Sequence, residues 1–239
     1  MKLSGKVAIV SGASKGIGRA LAKRYAREGA TVCLCARHVE ELRAASLEIM
    51  AAGGKSIFEQ TDVSDESQVE EFIRSCASSF QTIDILVNNA GIVGPRVPIA
   101  GYNSQEWDRV MAVNLNGAFY LVKHALPFFN TSGGSIINLS SSVGKTPKPD
   151  WGAYGISKFA IEGLTQVLAE ELRPRNIRVN AVNPGAVVTA MRHQAFPDED
   201  QRGLKKPEDV LDVFVYLASD ESKGVTGQTF DAQRFSKKR

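Results

Sequence analysis

Short apolar runs alternate with longer helical patterns along the chain, and that rhythm leaves few folds open. The runs are Lys6–Val10, Ala30–Cys35, Ser56–Gln60, Ile83–Asn88, Ser135–Ser140, Ile177–Asn183 and Thr226–Phe230. Between them lie Ile17–Glu28, Val39–Ala52, Glu66–Phe80, Ser104–Phe129, Tyr154–Leu172 and Pro207–Ser219, all with helical spacing. Two of these carry start signals: Ser64-Asp65-Glu66, and Pro207 followed by Glu208 and Asp209. Strands separated by helices join through right-handed crossovers into a parallel sheet covered on both faces. The apolar stretch Ile83–Val87 fits such a doubly buried strand. The expectation is an α/β, doubly wound fold with a seven-stranded, mostly parallel sheet.

The first run leads directly into Ser11-Gly12-Ala13-Ser14-Lys15-Gly16-Ile17-Gly18, and a helix follows. Gly12 permits a tight turn; Gly16 and Gly18 let backbone approach a pyrophosphate and let helix pack on strand. Helix-start N–H groups then face the phosphates. A plain strand-to-helix turn needs one glycine, not three, so the pattern points to a dinucleotide and to a Rossmann-type fold. The second run ends Cys35-Ala36-Arg37, with no acid in the turn. An acid there would bind the ribose 2′-hydroxyl of NAD, whereas an arginine accommodates the 2′-phosphate of NADP. Arg37, with Lys15 as a second cation, therefore predicts NADP(H) preferred over NAD(H).

Tyr154 and Lys158 stand four positions apart, on one face of any helix that contains both. A free tyrosine has a pKa of about 10 and is a poor base at neutral pH. A nearby ammonium favours the phenolate, so the pair reads as an acid and base for an alcohol or ketone oxygen.

The remaining composition excludes more than it adds. The 239 residues carry a net charge of +3, with charges too scattered to argue for nucleic acid or membrane. The apolar run Val7–Val10 is too short for a signal peptide, no stretch is long enough to span a bilayer, and the basic tail Ser236–Arg239 reads as a solvated end. Cys33, Cys35 and Cys76 form no disulfide framework, and Cys33 and Cys35 read as small buried hydrophobes. No metal-ligand spacing occurs; His38, His124 and His193 stand apart. These features place the chain in a reducing, cytoplasmic compartment. With no linker or repeat, the whole chain reads as one domain: a cofactor half over residues 1–130 and a catalytic and substrate half over 131–239.

Taken together the chain resembles the short-chain dehydrogenase/reductase family, in its single-domain branch, over nearly its full length. The glycine run has that family's GxxxGxG spacing. Asn88-Asn89-Ala90-Gly91 matches its NNAG motif, Asn114 its active-site asparagine, and Ser141 with Tyr154 and Lys158 its serine and YxxxK pair. Asn183-Pro184-Gly185 through Thr189 matches its PG…T segment. The resemblance implies a homo-oligomeric oxidoreductase, dimer or tetramer, acting on a small carbonyl or alcohol. It implies Tyr154 as general acid and base, and Lys158 as its support and as holder of the nicotinamide ribose. Ser141 orients the substrate oxygen, and Asn114 holds a water linking Lys158 to solvent. It also implies cofactor contacts from Gly12, Ser14, Lys15, Gly16, Ile17, Gly18, Arg37, Asp62, Val63, Asn89, Ala90, Gly91, Pro184, Gly185, Val187 and Thr189. Ser140 and Ser142 are weaker candidates for the serine role, with strand-end bonding to backbone as their alternative.

The chain departs from the family pattern at Ser11, where threonine is usual, and at Phe230-Asp231-Ala232-Gln233, where the family often has a VDGG-like ending. Three functions stay open: a carbonyl reductase or alcohol dehydrogenase, a 3-oxoacyl-acyl-carrier-protein reductase, and a non-catalytic dinucleotide sensor. The sensor has no need of the Ser141/Tyr154/Lys158/Asn114 set. Lys145–Pro149 and the charged stretch Arg192–Lys206 read as surface loops, and the second as a short lid, mobile without ligand.

Overall fold

A computed structural model describes residues 1–236, so Lys237, Lys238 and Arg239 of the basic tail lie outside the described residues. Seven strands form one sheet: β1 (Val7–Ser11), β2 (Thr31–Ala36), β3 (Lys55–Gln60), β4 (Ile85–Asn88), β5 (Gly134–Leu139), β6 (Ile177–Asn183) and β7 (Thr229–Asp231). Their order is β3-β2-β1-β4-β5-β6-β7, and every pairing is parallel, which makes the expected mostly parallel sheet wholly so.

The helices are α1 (Gly16–Arg27), α2 (Val39–Ala51), α3 (Glu66–Phe80), α4 (Ser104–Met111), α5 (Gly117–Ala125), α6 (Gly152–Glu171), α7 (Ala190–Ala195) and α8 (Asp212–Ala218). Strand alternation sorts them onto two faces. Ala8 and Val10 of β1 and Val32 and Leu34 of β2 meet Leu21, Leu42 and Phe214 from α1, α2 and α8. Ile9, Cys33 and Cys35 point the other way, against Phe72, Cys76, Leu121 and Leu168 from α3, α5 and α6. All three cysteines are buried and unpaired; Cys33 and Cys35 are read so from the sequence, and Cys76 joins them. The order reverses between β1 and β4, and in such sheets ligands bind outside the carboxyl ends of the strands at that point.

Two helical expectations change. The stretch Ser104–Phe129 is not one helix: a π-helical turn at Ala112–Asn116 separates α4 from α5, and a 3₁₀ turn at Leu126–Phe128 follows. Pro207–Val210 is a 3₁₀ turn before α8. The stretch Arg192–Lys206 is more structured than a loop. Thr189 caps α7 by accepting the Arg192 amide at 3.1 Å, and Ala195 is buried. Arg192 pairs with Glu199 and Arg202 with Asp200, so the charges read as a sign of mobility instead bond one another within the segment. No helix of the described residues is long and apolar enough to cross a membrane.

Candidate active site

A cleft of about 300 Å³ opens at the carboxyl ends of β1, β2 and β4. Its floor is the glycine run. Gly12 holds φ at +64°, a conformation that disfavours a side chain, and a Cβ there would come within 2.9 Å of Ala90 Cα. A Cβ at Gly18 would approach the Gly12 carbonyl oxygen to 2.4 Å, so only glycine lets α1 start this close to β1. The Ser11 hydroxyl, in place of threonine, donates to Val87 O at 3.2 Å and accepts from the Asn89 and Ala90 amides at 3.0 and 3.1 Å. Asn89 returns its amide group to Ser11 O at 2.7 Å, which locks the loops after β1 and β4 together.

The structure brings most sequence-predicted residues to this cleft. Gly12, Ser14, Lys15, Gly16, Ile17, Arg37, Asp62, Val63, Asn89, Ala90, Gly91, Tyr154, Lys158, Pro184 and Thr189 all line it. Gly18 lies beneath it, and Val187 is buried with its backbone bridged to Lys205. The Pro184–Ala186 turn, which contains Gly185, is held by Gln233, whose amide donates to Pro184 O at 2.8 Å and Ala186 O at 3.1 Å. The departure from the VDGG-like ending thus places a hydrogen-bonding side chain where that ending has a glycine.

At the far end of the cleft the cations differ. Arg37 is exposed and has no acidic partner among the described residues, whereas Lys15 pairs with Glu41 at 2.8 Å. One oxygen of Glu41 is buried without a hydrogen bond. A cradle where a Cβ does not fit, next to an unpaired guanidinium, fits a dinucleotide with a terminal phosphate near Arg37.

Tyr154 and Lys158 project from α6 as their spacing predicts. Tyr154 is 9 % exposed and Lys158 5 %, so each meets the cleft with one edge only. Lys158 Nζ donates to Leu139 O at 2.7 Å and lies 5.7 Å from the centre of the Tyr154 ring. Burial pushes the Tyr154 phenol above its ordinary value, and a hydrogen bond with Ser141 offsets part of that. The direction is opposite to the one read from the Tyr–Lys spacing, because burial desolvates the phenol. Burial also lowers Lys158 to about 8, against the opposing charge of Glu162.

Ser140 also lines the cleft, but its hydroxyl is engaged by Glu162, donating to Oε1 at 2.5 Å, rather than by the backbone. Asn114 sits in the π-helical turn, a feature that often marks functional sites. Its amide accepts from Ile92 N at 2.8 Å and donates to Ser157 at 3.0 Å. A Cβ on Gly91 would lie 3.3 Å from Asn114 Oδ1 and 3.9 Å from Lys158 Nζ, so both polar ends gather around that glycine. A cavity of about 10 Å³ between Asn114 and Lys158 is also lined by Asn88, whose Oδ1 is buried without a partner. One water needs a volume of about that size and two or more polar groups.

Above Tyr154, Trp151 packs at 5.5 Å between ring centres and Phe196 at 5.8 Å from Trp151. Arg96 stacks on both rings, 4.8 Å from each centre, and donates to Ala195 O at 2.8 Å. This roof over Tyr154 was not legible in the sequence, because its members are 45 or more positions apart and match no spacing pattern. No cluster of side chains able to hold a metal occurs among the described residues.

Residues 6–200 match the short chain dehydrogenase family. An uncharacterised oxidoreductase of Escherichia coli K12, YciK, is 41% identical over 236 residues, covering 97% of this chain and 93% of that protein. The 3-oxoacyl-[acyl-carrier-protein] reductase FabG of Thermotoga maritima is 38% identical over 237 residues, covering 95% of this chain and 96% of that protein. A short chain dehydrogenase of Shigella flexneri, solved in complex with NADP, superposes with a TM-score of 0.93 at 40% identity, over 97% of this chain and 98% of that one.

Proposed function

The chain belongs to the short-chain dehydrogenase family, enzymes that act on CH–OH or C=O groups with NAD(P), and from that premise we propose an NADP(H)-dependent carbonyl reductase with Tyr154 as its general acid. The observation that carries the reading is the buried Tyr154 phenol, hydrogen-bonded to Ser141 and one helical turn from Lys158.

NADP(H), when bound, supplies or accepts the hydride. The phenol, raised by burial, holds its proton at neutral pH and can give it to the oxygen of a carbonyl as that oxygen gains charge. Ser141 and Tyr154 together orient and stabilise that oxygen. In the reverse direction Tyr154 is the base, which requires the phenolate and so favours alkaline conditions. Lys158 holds the nicotinamide ribose and favours the phenolate. Asn114, with a water in the small cavity beside it, returns protons to Lys158. The glycine run, Asp62, Val63, Asn89, Ala90, Gly91, Pro184, Gly185, Val187 and Thr189 hold the dinucleotide, and Arg37 reads its 2′-phosphate. Residues 1–130 form the cofactor half and residues 131–239 the catalytic and substrate half of one domain.

The aromatic roof of Trp151 and Phe196, pinned by Arg96, limits the room above Tyr154 and favours compact or flat carbonyl compounds. The free, buried cysteines fit the cytoplasm. Exposed Phe119 on α5 with Ile156, Phe159 and Val167 on α6 supports a homo-oligomer, dimer or tetramer.

A second reading, reduction of 3-oxoacyl groups on acyl-carrier protein, is favoured by the likeness to the Thermotoga enzyme. One assay separates them: NADPH oxidation with small ketones, aldehydes and quinones against long 3-oxoacyl thioesters. Faster turnover of the small compounds supports carbonyl reduction. Faster turnover of the thioesters gives the second reading first place, and no turnover of either in both directions overturns the enzymatic assignment.

A further inference from the structure

Glu162 lies one turn after Lys158 and two after Tyr154, so the three share a face of α6. Both of its oxygens are occupied. The Ser140 hydroxyl donates to Oε1 at 2.5 Å, and the Thr229 hydroxyl donates to Oε2 at 2.5 Å. Ser140 directly follows β5 and precedes Ser141, and Thr229 opens β7. One carboxylate therefore ties the helix with the proton-transfer pair to the strand end that carries Ser141 and to the last strand. An apolar residue of similar volume would fill this half-buried place without the cost of desolvating a charge, so packing alone does not account for it.

We propose that Glu162 is a positioning residue: held by Ser140 and Thr229, its carboxylate fixes Ser141 against α6 and keeps a negative charge one turn beyond Lys158. The inference rests on the oxidoreductase reading above. It extends that reading to a residue outside the YxxxK pair.

The groups around Lys158 make the charge matter. Nζ faces the Leu139 carbonyl at 2.7 Å, the Tyr154 ring and the Asn114 amide beside Gly91, and none of these is negative at neutral pH. Glu162 is the charge that opposes the effect of burial on the ammonium. Without it, Lys158 would lose its proton at lower pH, and with it the attraction that supports the phenolate and the ribose.

The test is an NMR titration of lysine side chains in the full chain without coenzyme, the Lys158 signal being identified by its loss in Lys158→Met. Glu162→Gln keeps the shape and removes the charge, and should move the Lys158 midpoint down by about half to one pH unit. Glu162→Met gives the same reading should the glutamine variant not fold. Thr229→Val removes one hydroxyl but keeps the charge, and should leave the midpoint in place. In steady-state carbonyl reduction, the alkaline limb of the pH profile should follow the same shifts. An unmoved midpoint in a folded Glu162→Gln variant overturns the inference, as does an equal shift in Thr229→Val. A wild-type chain that turns over no carbonyl or alcohol overturns the functional reading instead, and the NMR titration still decides Glu162.

Discussion

Lys158 donates to the carbonyl oxygen of Leu139 at 2.7 Å, so its ammonium on α6 is bonded to the end of the strand that leads to Ser141. The bond fixes the side chain, yet the ammonium remains buried and is lowered to about 8 from 10.5. A lysine lowered on folding binds fewer protons folded than unfolded between those two values, so its contribution to stability rises with pH across that window. Below about pH 8 both states are charged and the full cost of burying the ammonium is present. That lowering corresponds to a cost on the order of 3 kcal/mol. Lys158→Met should therefore be more stable relative to wild type at pH 7.5 than at pH 10, in urea unfolding at one temperature. A constant difference between the two proteins across that range would contradict a buried, charged Lys158.

Tyr154→Phe deletes the proton donor and little else, since the ring keeps its packing on Trp151. Turnover should fall by about 10²–10⁴-fold, the worth of a positioned acid. NADPH binding, followed by its fluorescence, should stay within about twofold, because the variant leaves Lys158 and the glycine run intact. Retention of more than about a tenth of the activity would remove Tyr154 from the acid role.

Much of this site was legible in the chain, and the reason is local. The glycine run, the asparagine pair at 88–89 and the YxxxK spacing each lie within one turn or one strand end, where sequence distance and spatial distance agree. The strand rhythm placed α1, α2, α3 and α6 near their observed bounds, missed α7, and ran α4 and α5 together. Ser104–Phe129 has continuous helical periodicity, yet Asn114 bonds Ile92 and Ser157 from its π-helical turn, and that tertiary demand is absent from the local pattern. The direction of the Tyr154 shift was misread for a related reason: spacing reveals the lysine but not the depth of burial. Glu162, Gln233 and Arg96 act across 22 to 99 positions of sequence, and no spacing rule reaches that far.

Coenzyme choice should turn on Arg37 and on the pair beside it. Arg37→Ala should weaken NADPH by roughly 1–3 kcal/mol, the range of a charge-assisted hydrogen bond, and leave NADH nearly unchanged. Glu41 now occupies Lys15 at 2.8 Å. Glu41→Gln frees that ammonium and removes a negative charge from the same end of the cleft, so NADPH should tighten by a few-fold, about 3–10, with NADH little affected. Isothermal titration with both coenzymes checks both variants. Equal losses of NADPH and NADH in Arg37→Ala would make Arg37 structural only.

Arg96 should control whether the segment after α7 stays down. Its guanidinium lies 4.8 Å from the ring centres of both Trp151 and Phe196, which touch each other, and bonds the Ala195 carbonyl at 2.8 Å. Two such stacks contribute about 0.5–1 kcal/mol each at an exposed site, and the charged hydrogen bond adds to them. The ion pairs Arg192–Glu199 and Arg202–Asp200 lie within the segment, so they hold its shape but do not tie it to the body. Arg96→Ala removes its share of the tie and leaves those pairs and the Phe196–Trp151 contact. Cleavage of residues 192–203 at low protease concentration should then rise by about tenfold, since about 1.4 kcal/mol changes an opening equilibrium by that factor. Arg96→Lys should recover only part of the loss, because an ammonium lacks the flat face that stacks on an aromatic ring. NADPH affinity should change little in either variant, while KM for a small ketone should rise as the roof over Tyr154 loosens. Equal cleavage rates in wild type and Arg96→Ala would show that the segment is held by its own ion pairs and not by Arg96.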